Sequence, residues 1–413
     1  MGGAAPNRTV QPECRGDAAV YGRSAEGSRM REVAGTLEPA FEPVVTAFRE
    51  EMDLQPAGGA ALAIYQHGRR VVHVWAGEAS PGRAWDEDTA SVLFSCTKGL
   101  TSILALQLVQ EGLLDLDAPV RRYWPEFGQA GKEDVPVRWL LQHRAGLSAP
   151  REDVPLESLL AGEPFDAMLA AQAPLWAPGT GHGYHAVTFG NLVGRVIRAV
   201  TGTSIGAAFQ SRIAAPLDAA SWIGLPEQER ARVATLLTDG TRVAEGARPG
   251  SGPYWVERAL TLGGAIPIGI AGDASGFNDP RFHAAELAAI GGIATADALA
   301  RIWSATVTET AGVRLLSDDT VRAAMVPSTL GASVWGEPPT WAVRGLGVMV
   351  DTTAGSVLMS GDSLGHDGLG GQAGFADRAH GIGFAYISNF LANGPDQQGR
   401  WQRIMRALRD VLD

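Results

Sequence analysis

Cysteine and lysine are both scarce in this sequence of 413 residues. The two cysteines, Cys14 and Cys96, are too few for a disulfide framework or a zinc cluster. Of the 34 basic residues only Lys98 and Lys132 are lysine, and the others are arginine. Because arginine supplies the positive charge almost everywhere, a retained lysine is a position to inspect for a task that arginine cannot perform.

Long apolar runs and an excess of basic charge are also absent. No stretch approaches the ~18 apolar residues of a membrane span. The net charge of −11 argues against nucleic acid as a partner, since phosphate binding requires a basic surface. The hydrophobic content of 45% and the 11 tryptophans exclude a wholly disordered chain. The length suits one large or two ordinary domains, and nothing in the sequence defines the oligomeric state.

Residues 1–32 mix glycine, arginine, proline and serine without apolar periodicity. This segment contains no apolar core of the kind found in secretory signals. It is therefore predicted to be a flexible tail, and the protein is predicted to be cytoplasmic.

Strand and helix signals divide the rest of the chain. Apolar spacing predicts a helix over 36–54 and a largely buried helix over 95–112, and two short apolar runs at 59–65 and 70–75 predict a β-hairpin. Further helices are predicted at 137–141, 191–200, 205–213, 295–305 (with Thr295 as N-cap) and 399–412, and further strands at 345–351, 374–376 and 383–388.

Strands at both ends of the chain with helices between them indicate an α+β fold. This order suggests one sheet closed by both ends of the chain, with a helical domain inserted in it. In this division residues 33–112 and 286–413 form the sheet domain, and residues 113–285 form the mainly helical domain.

Two serines match the Gly-x-Ser-x-Gly elbow of many serine hydrolases, but their contexts do not fit it. Ser204 follows a helical segment and is expected in the turn that ends it, whereas the elbow needs a strand-to-helix turn. Ser363 lies in Gly-Asp-Ser-Leu with Asp377 and His380 shortly after it. In esterases with that signature the serine lies near the N-terminus and the Asp/His pair far downstream, so this match is interpreted as a coincidence.

The third candidate nucleophile is Ser95 in the motif Ser95-x-x-Lys98, at the start of a predicted helix. Residues i and i+3 share a helix face, so the lysine amine can reach the serine hydroxyl. Burial and the positive end of the helix dipole favour a deprotonated lysine that can act as a base. The alternative is an N-cap serine followed by an exposed lysine, and the scarcity of lysine speaks against it.

Acyl transfer also needs a proton shuttle and two N–H donors for the oxyanion. Tyr184, in a glycine-rich turn just before a predicted helix, is the candidate shuttle, and an ordinary buried aromatic is the alternative. Residues 366–371, His-Asp-Gly-Leu-Gly-Gly, are expected to form a strand edge whose glycines allow close backbone approach.

Ser95-x-x-Lys98, Tyr184 and His366-x-Gly368, in this order and spacing, resemble the class C β-lactamase and penicillin-binding-protein superfamily. The closest resemblance is to its family VIII carboxylesterases. Segments 140–147, 184–194, 278–280 and 291–300 resemble further family blocks, so the likeness spans about residues 33 to 413.

The resemblance implies an antiparallel sheet flanked by helices, with an inserted all-α domain. It also implies an active site between the sheet and the helical domain, with no metal or organic cofactor. It implies that Ser95 is the nucleophile, that Lys98 and Tyr184 are the base pair, and that the backbone N–H groups of Ser95 and Leu369 form the oxyanion hole. The residues expected to bind the substrate are His366, Asp367, Gly368 and His185.

Two departures from the β-lactamase pattern favour esters over β-lactams. Ala186 stands where these enzymes usually have the asparagine of Tyr-x-Asn, and His366-Asp367-Gly368 replaces their Lys-Thr-Gly. The first hypothesis is a serine esterase acting on small-molecule carboxylic esters. The alternatives are an acyltransferase that passes the acyl group to an amine or alcohol in natural-product biosynthesis, and a non-catalytic penicillin-binding-like protein.

Overall fold

The structure is a computed structural model that describes residues 32–238, 249–267, 270–272, 275–336, 343–350, 358–392 and 396–413. The predicted tail, apart from Glu32, and Cys14 lie outside the described residues.

The strands of the described residues are mostly short, and the long ones lie near the two ends of the chain. They are β1 Val33–Leu37, β2 Gly59–Gln66, β3 Arg69–Ser80, β4 Arg83–Ala84, β5 Ser91–Val92, β6 Ser221–Ile223, β7 Leu237–Thr238, β8 Ala271–Gly272, β9 Ser275–Gly276, β10 Gly292–Ala294, β11 Met349–Val350, β12 Ser363–Gly368, β13 Gln372–Asp377, β14 Ile382–Ser388 and β15 Phe390–Leu391.

The α-helices lie mostly between these two groups of strands. They are α1 Glu42–Leu54, α2 Cys96–Gln110, α3 Val137–Leu141, α4 Leu156–Ala161, α5 Glu163–Ala171, α6 Thr188–Thr201, α7 Ile205–Phe209, α8 Gly252–Thr261, α9 Pro280–Ala284, α10 Ala296–Val307, α11 Asp318–Ala324 and α12 Asp396–Leu412. None of them, within the part of the chain that the structure describes, is long and apolar enough to cross a bilayer.

The main sheet joins the two ends of the chain. Its order is β1-β3-β2-β14-β13-β12-β11, with β4 beside β3, and its neighbouring strands are antiparallel. The central pairing of β2 with β14 confirms that N-terminal and C-terminal strands close one sheet. The predicted hairpin of β2 and β3 is also present.

The two faces of the sheet pack against different helices because side chains alternate along a strand. On β2, Leu62 and Ile64 belong to the apolar cluster that contains α1 and α12, whereas Ala61 and Ala63 belong to the cluster of the opposite face. Helix α10 packs on that second face, where a Cβ at Gly374 would lie only 2.5 Å from the Trp303 ring nitrogen. Small residues therefore bring α10 close to the sheet.

Helix α2 is buried on nearly all sides, as predicted. Thirteen of its 15 residues are buried, and a helix that is apolar all round belongs in a core rather than at a surface. It packs against β12 and β13 and against α6, so its first turn lies where the sheet meets the helical segment.

The segment 113–285 contains α3 to α9, but it is not purely helical. Its short strand β6 pairs with β10 in a three-stranded sheet with β5, and β7 pairs with β15. These pairings tie the segment to both ends of the chain. The division into two domains stays a prediction.

The start of the chain differs from the predicted helix over 36–54. Leu37 lies in β1, which pairs with β3, and helix α1 begins only at Glu42 after a 3₁₀ turn over Pro39–Phe41. Pro39 starts the 3₁₀ turn and Pro43 lies in the first turn of α1; because proline lacks a backbone donor and fits only the first turn of a helix, one helix cannot run through both from residue 36. The predicted strand at 345–351 is realised only as β11, and Asp351 lies outside the described residues.

Candidate active site

Ser95 stands at the N-cap of α2, directly after a residue with unusual backbone geometry. Phe94 has φ +45°, a left-handed conformation that costs a non-glycine residue roughly 1–2 kcal/mol. The Thr97 hydroxyl holds this turn, because it donates to the Phe94 carbonyl at 2.6 Å and accepts from the Gly292 N–H at 2.9 Å. The turn thus anchors Ser95 to β10 at the start of the helix.

Lys98 and Tyr184 meet at the hydroxyl oxygen of Ser95. Lys98 Nζ donates to Ser95 Oγ at 3.1 Å and to the Ala289 carbonyl at 3.1 Å. Tyr184 OH, from the turn before α6, donates to the same Oγ at 2.9 Å. The structure therefore brings Tyr184 to Ser95 and Lys98, although Tyr184 lies 86 positions beyond Lys98 in the sequence (184 − 98).

Burial shifts the pKa values of Lys98 and Tyr184 in opposite directions. Burial first, and then the positive charge of Arg344, lower the pKa of Lys98 well below its usual value. Burial raises the pKa of Tyr184 to about 12, against a lowering by Arg344. These shifts favour a neutral amine, which can accept a proton, and a protonated phenol, which can donate one.

The turn that carries Tyr184 is held by two buried histidines. His185 Nδ1–H donates to the Gly183 carbonyl at 2.7 Å, and Nε2 accepts from the Leu147 N–H at 3.1 Å. Burial lowers the pKa of His185 to about 4, so the ring is neutral and keeps this arrangement of donor and acceptor. His143 Nδ1 accepts from the His185 N–H at 3.1 Å, and its ring centroid lies 5.1 Å from that of Tyr184.

The end of β12 packs against the first turn of α2. A Cβ at Gly368 would lie 2.3 Å from the Leu93 carbonyl oxygen, so only glycine allows this approach. The Cys96 thiol donates to the His366 carbonyl at 3.1 Å. Leu369 follows Gly368 directly, and its role in the oxyanion hole with the Ser95 N–H stays a prediction.

The four predicted substrate-binding residues differ in accessibility. Asp367 and Gly368 are partly exposed, and Gly368 approaches Leu93 and Cys96 at the start of α2. His366 is fully buried, with Nδ1 2.6 Å from the Asp367 carbonyl, and its ring stacks at 6.5 Å from the Tyr184 ring. His185 is also fully buried, and both its ring nitrogens have backbone partners.

The two rival serines have other structural tasks. Ser204 caps α7 by accepting from the Ala207 N–H, and its hydroxyl donates to the Glu286 carboxylate at 2.6 Å. Ser363 is buried, and its hydroxyl donates to the Asp377 carboxylate at 2.7 Å. Each hydroxyl therefore donates to a carboxylate that holds local structure, whereas the lysine and the tyrosine meet at Ser95 Oγ.

Sequence patterns did not identify Arg344, which lies against the site. Its guanidinium carbon is 4.4 Å from the centroid of the Tyr184 ring. Arg344 is one of many arginines, and no spacing relates it to Ser95, so no signal in a single sequence marks it. The left-handed backbone of Phe94 was not predicted either, because no pattern in a single sequence marks it, although Ser95 beside it was predicted as the nucleophile.

A serine and a lysine one turn apart on a buried helix, with a tyrosine on the same oxygen, define a serine hydrolase of the β-lactamase fold. The family model described as Beta-lactamase matches residues 44–409, so the chain belongs to the Beta-lactamase family.

Relatives and solved structures agree with this assignment. The chain is 33% identical over 389 residues to "Esterase/beta-lactamase LipL" of Mycobacterium tuberculosis, covering 87% of this chain and 84% of that protein. It superposes with a TM-score of 0.81 and 32% identity on a family VIII carboxylesterase, covering 92% of this chain and all of the other. A penicillin-binding-protein homologue from Caulobacter crescentus gives a TM-score of 0.81 at 31% identity, with the same coverage. The predicted family resemblance and the α+β fold class are confirmed.

Proposed function

We propose that the chain is a serine esterase that hydrolyses small-molecule carboxylic esters through an acyl-enzyme on Ser95. The observation that carries this proposal is the meeting of Lys98 Nζ and Tyr184 OH at Ser95 Oγ, at 3.1 and 2.9 Å. One oxygen is thus within reach of both a proton acceptor and a proton donor. The relatives whose names include esterase support ester cleavage as the reaction.

Acylation begins with transfer of the Ser95 proton to the neutral amine of Lys98. The new bond joins Ser95 Oγ to the carbonyl carbon, and the negative charge that develops on the carbonyl oxygen is stabilised by the N–H groups of Ser95 and Leu369. When the carbon–oxygen bond of the ester breaks, Tyr184 donates its proton to the departing alcohol. The proton held by Lys98 then returns to the Tyr184 oxygen, which restores both groups.

Deacylation follows the reverse route with water in place of the alcohol. Tyr184 takes a proton from water while its own proton passes to Lys98. The water oxygen attacks the acyl carbon, and the bond to Ser95 Oγ breaks. Ser95 regains its proton from Lys98, so the net reaction consumes one water and releases one carboxylic acid.

Substrate contacts are assigned to the rim of the site. Asp367 and Gly368 are partly exposed, and Gly368 approaches the first turn of α2, so we assign them contacts with a bound ester. His366 and His185 have no exposed surface. We therefore propose that they shape the site from behind Tyr184 and β12. The cytoplasmic location stays a prediction.

Transfer of the acyl group to an amine or alcohol would use the same acyl-enzyme. The two reactions differ only in what reaches the acyl carbon, so both need to be measured in one assay. A penicillin-binding-like protein without turnover would instead keep its acyl group.

The test combines intact mass spectrometry with steady-state kinetics on p-nitrophenyl butyrate. We expect a burst of nitrophenol, a mass increase of one butyryl group on Ser95, and its loss with time as butyric acid forms. Ser95→Ala should reduce turnover to background. Ser204→Ala and Ser363→Ala are the matched controls and should keep most of it.

Three results would contradict the proposal. If Ser204→Ala or Ser363→Ala is inactive while Ser95→Ala stays active, the assignment of Ser95 as the nucleophile is wrong. An adduct that persists for hours would indicate a binding protein. Diversion of nearly all acyl groups to added amines or alcohols at low concentration would identify a transferase.

A further inference from the structure

A buried arginine lies beside the two groups that move protons in the proposed reaction. The Arg344 guanidinium carbon is 4.4 Å from the centroid of the Tyr184 ring, and Lys98 Nζ is 4.9 Å from the same centroid. Arg344 is only 8% exposed. Tyr184 therefore has two basic side chains within cation–π distance, of which only the lysine can lose its proton.

The backbone of Arg344 is fixed on both sides. Its N–H donates to Thr329 Oγ1 at 2.8 Å, and its carbonyl accepts from the N–H and the hydroxyl of Ser328, each at 2.8 Å. Three positions further along, the Gly347 carbonyl accepts from the Ser102 hydroxyl of α2 at 3.1 Å. The arginine is thus attached to the helix that carries Ser95 and Lys98.

We propose that Arg344 is a positioning residue for catalysis: a permanent cation that keeps Lys98 unprotonated and stabilises the oxygen of Tyr184 when it gives up its proton. This inference rests on the proposed function, because it acts through the same lysine and tyrosine. A guanidinium stays charged at every working pH, and its field is weakly screened in a buried site. A second positive charge on Lys98 is therefore disfavoured next to it, and a negative charge on Tyr184 is favoured.

The other charged and titratable groups around the pair do not replace this cation. Those that face Tyr184 and Lys98 are Cys96 from α2, His143 and His182 from the loops before Tyr184, His185 beside it, and His366 and Asp367 from β12. Burial lowers the pKa of each of these histidines, so they are neutral near pH 7. Burial raises the pKa of the Cys96 thiol, and the Asp367 carboxylate favours the ammonium of Lys98, so Arg344 opposes it.

The pH dependence of acylation carries the signature of this role. Acylation requires Lys98 without its extra proton, so its rate rises with pH through the apparent pKa of the lysine–tyrosine pair. Removing the cation raises the pKa of both groups. The rising limb should then move up by about one to two pH units, which is a loss of about 10- to 100-fold on the acid side. At high pH the rate should return towards that of the wild type.

The experiment measures the burst rate constant for acylation by p-nitrophenyl butyrate from pH 5 to 10. The variants are Arg344→Met, which is neutral and of similar length, and Arg344→Lys, which keeps a cation. The matched control is Arg258→Met, because Arg258 is also 8% exposed and lies over a tyrosine ring, that of Tyr254 at 6.0 Å. Arg258→Met removes an ion pair with Asp153 and should lower the melting temperature without moving the limb.

We expect the limb to shift in Arg344→Met, to shift less than half as far in Arg344→Lys, and to stay in place in Arg258→Met. A uniform loss of acylation at every pH, or an unchanged profile, in folded Arg344→Met would overturn the inference. If Arg344→Met does not fold, Arg344→Gln is read in the same way, and failure of both to fold would assign Arg344 a structural role only. A wild-type protein that is not acylated on Ser95 would refute the proposed function itself, before any Arg344 variant is made.

Discussion

Replacing Lys98 separates a proton acceptor from a simple positive charge. The side chain has no exposed surface, and its amine touches Ser95 Oγ and the Ala289 carbonyl. Lys98→Met keeps the length and the apolar stem but removes the amine. Lys98→Arg keeps a positive charge but replaces an amine that can be neutral with a guanidinium that cannot.

The expected losses in rate follow from the task of the amine. Removal of a general base typically costs about 10²- to 10⁴-fold, or roughly 3–5 kcal/mol of transition-state stabilisation. Both variants should lose at least about 10² in the acylation rate constant, because neither can accept the Ser95 proton. If Lys98 acted only through its charge, the arginine variant would keep most of its activity.

Arginine resembles lysine more closely than methionine does, yet we expect Lys98→Arg to lose more stability than Lys98→Met. Lys98→Met loses two hydrogen bonds, worth about 1 kcal/mol each, so we expect a loss of about 2 kcal/mol in the free energy of unfolding. Lys98→Arg places a permanent charge in a buried site next to Arg344, and an uncompensated buried charge costs about 3–5 kcal/mol. The arginine variant should therefore be the less stable of the two.

Stopped-flow measurement of nitrophenol release gives the acylation rate, and urea unfolding gives the stability. Lys132→Met is the matched control, since Lys132 is also fully buried and its amine donates to the Gln172 carbonyl at 2.5 Å. It should lose about 1 kcal/mol of stability and keep its acylation rate. Folded Lys98→Arg that acylates within a few-fold of the wild type would refute the role of Lys98 as a base.

Three further predictions concern specificity, the oxyanion hole and acid stability. Ring opening of a cephalosporin, followed by its absorbance, should be slow or absent because Ala186 and His366 replace residues that hold β-lactams, and efficient turnover would contradict this. Gly368→Ala should lower kcat by about 10²- to 10³-fold with little change in KM, because its Cβ would collide with the Leu93 carbonyl and move the oxyanion donors. An unchanged kcat would show that β12 has no part in the reaction. The pKa of His185 is about 4 in the folded protein and 6.5 ordinarily, so the unfolded state binds more protons between these pH values. The free energy of unfolding should therefore fall by about 3 kcal/mol as the pH decreases from 6.5 to 4. Urea unfolding of His185→Gln should show a correspondingly smaller fall.

Local patterns predicted the elements around Ser95 because their causes are local. The N-cap at Thr295, whose hydroxyl accepts from the Ala298 N–H, and the helix that begins after Ser95 both follow from residues within one turn. The hairpin of β2 and β3 likewise depends on two short apolar runs and a short turn at His67 and Gly68. The order of Ser95, Lys98 and Tyr184 along the chain indicated a function only through the family resemblance.

What the sequence could not predict depends on contacts between distant segments. Strand β1 is largely exposed and has a glycine at its centre, so its alternation is weak, and Leu37 fits the period of the following helix as well as that of a strand. Only pairing with β3 makes it a strand. Arg344 lies 160 positions beyond Tyr184 (344 − 184), and its nearness to that ring exists only in the folded chain.

The location of the two lysines explains why this chain retains any. Both are fully buried, whereas a charged group prefers water and a buried cation needs a partner. The buried Arg258 has such a partner in the Asp153 carboxylate. Lys98 and Lys132 instead donate to carbonyl or hydroxyl oxygens, and burial lowers the pKa of each. An amine can meet these neutral acceptors by losing its proton, which a guanidinium cannot do. Arginine can also be enclosed against neutral oxygens, since the buried Arg400 donates to Gln55 Oε1 and to the Phe390 carbonyl. What only a lysine can do in such a place is lose its proton, and at Lys98 that loss creates the base.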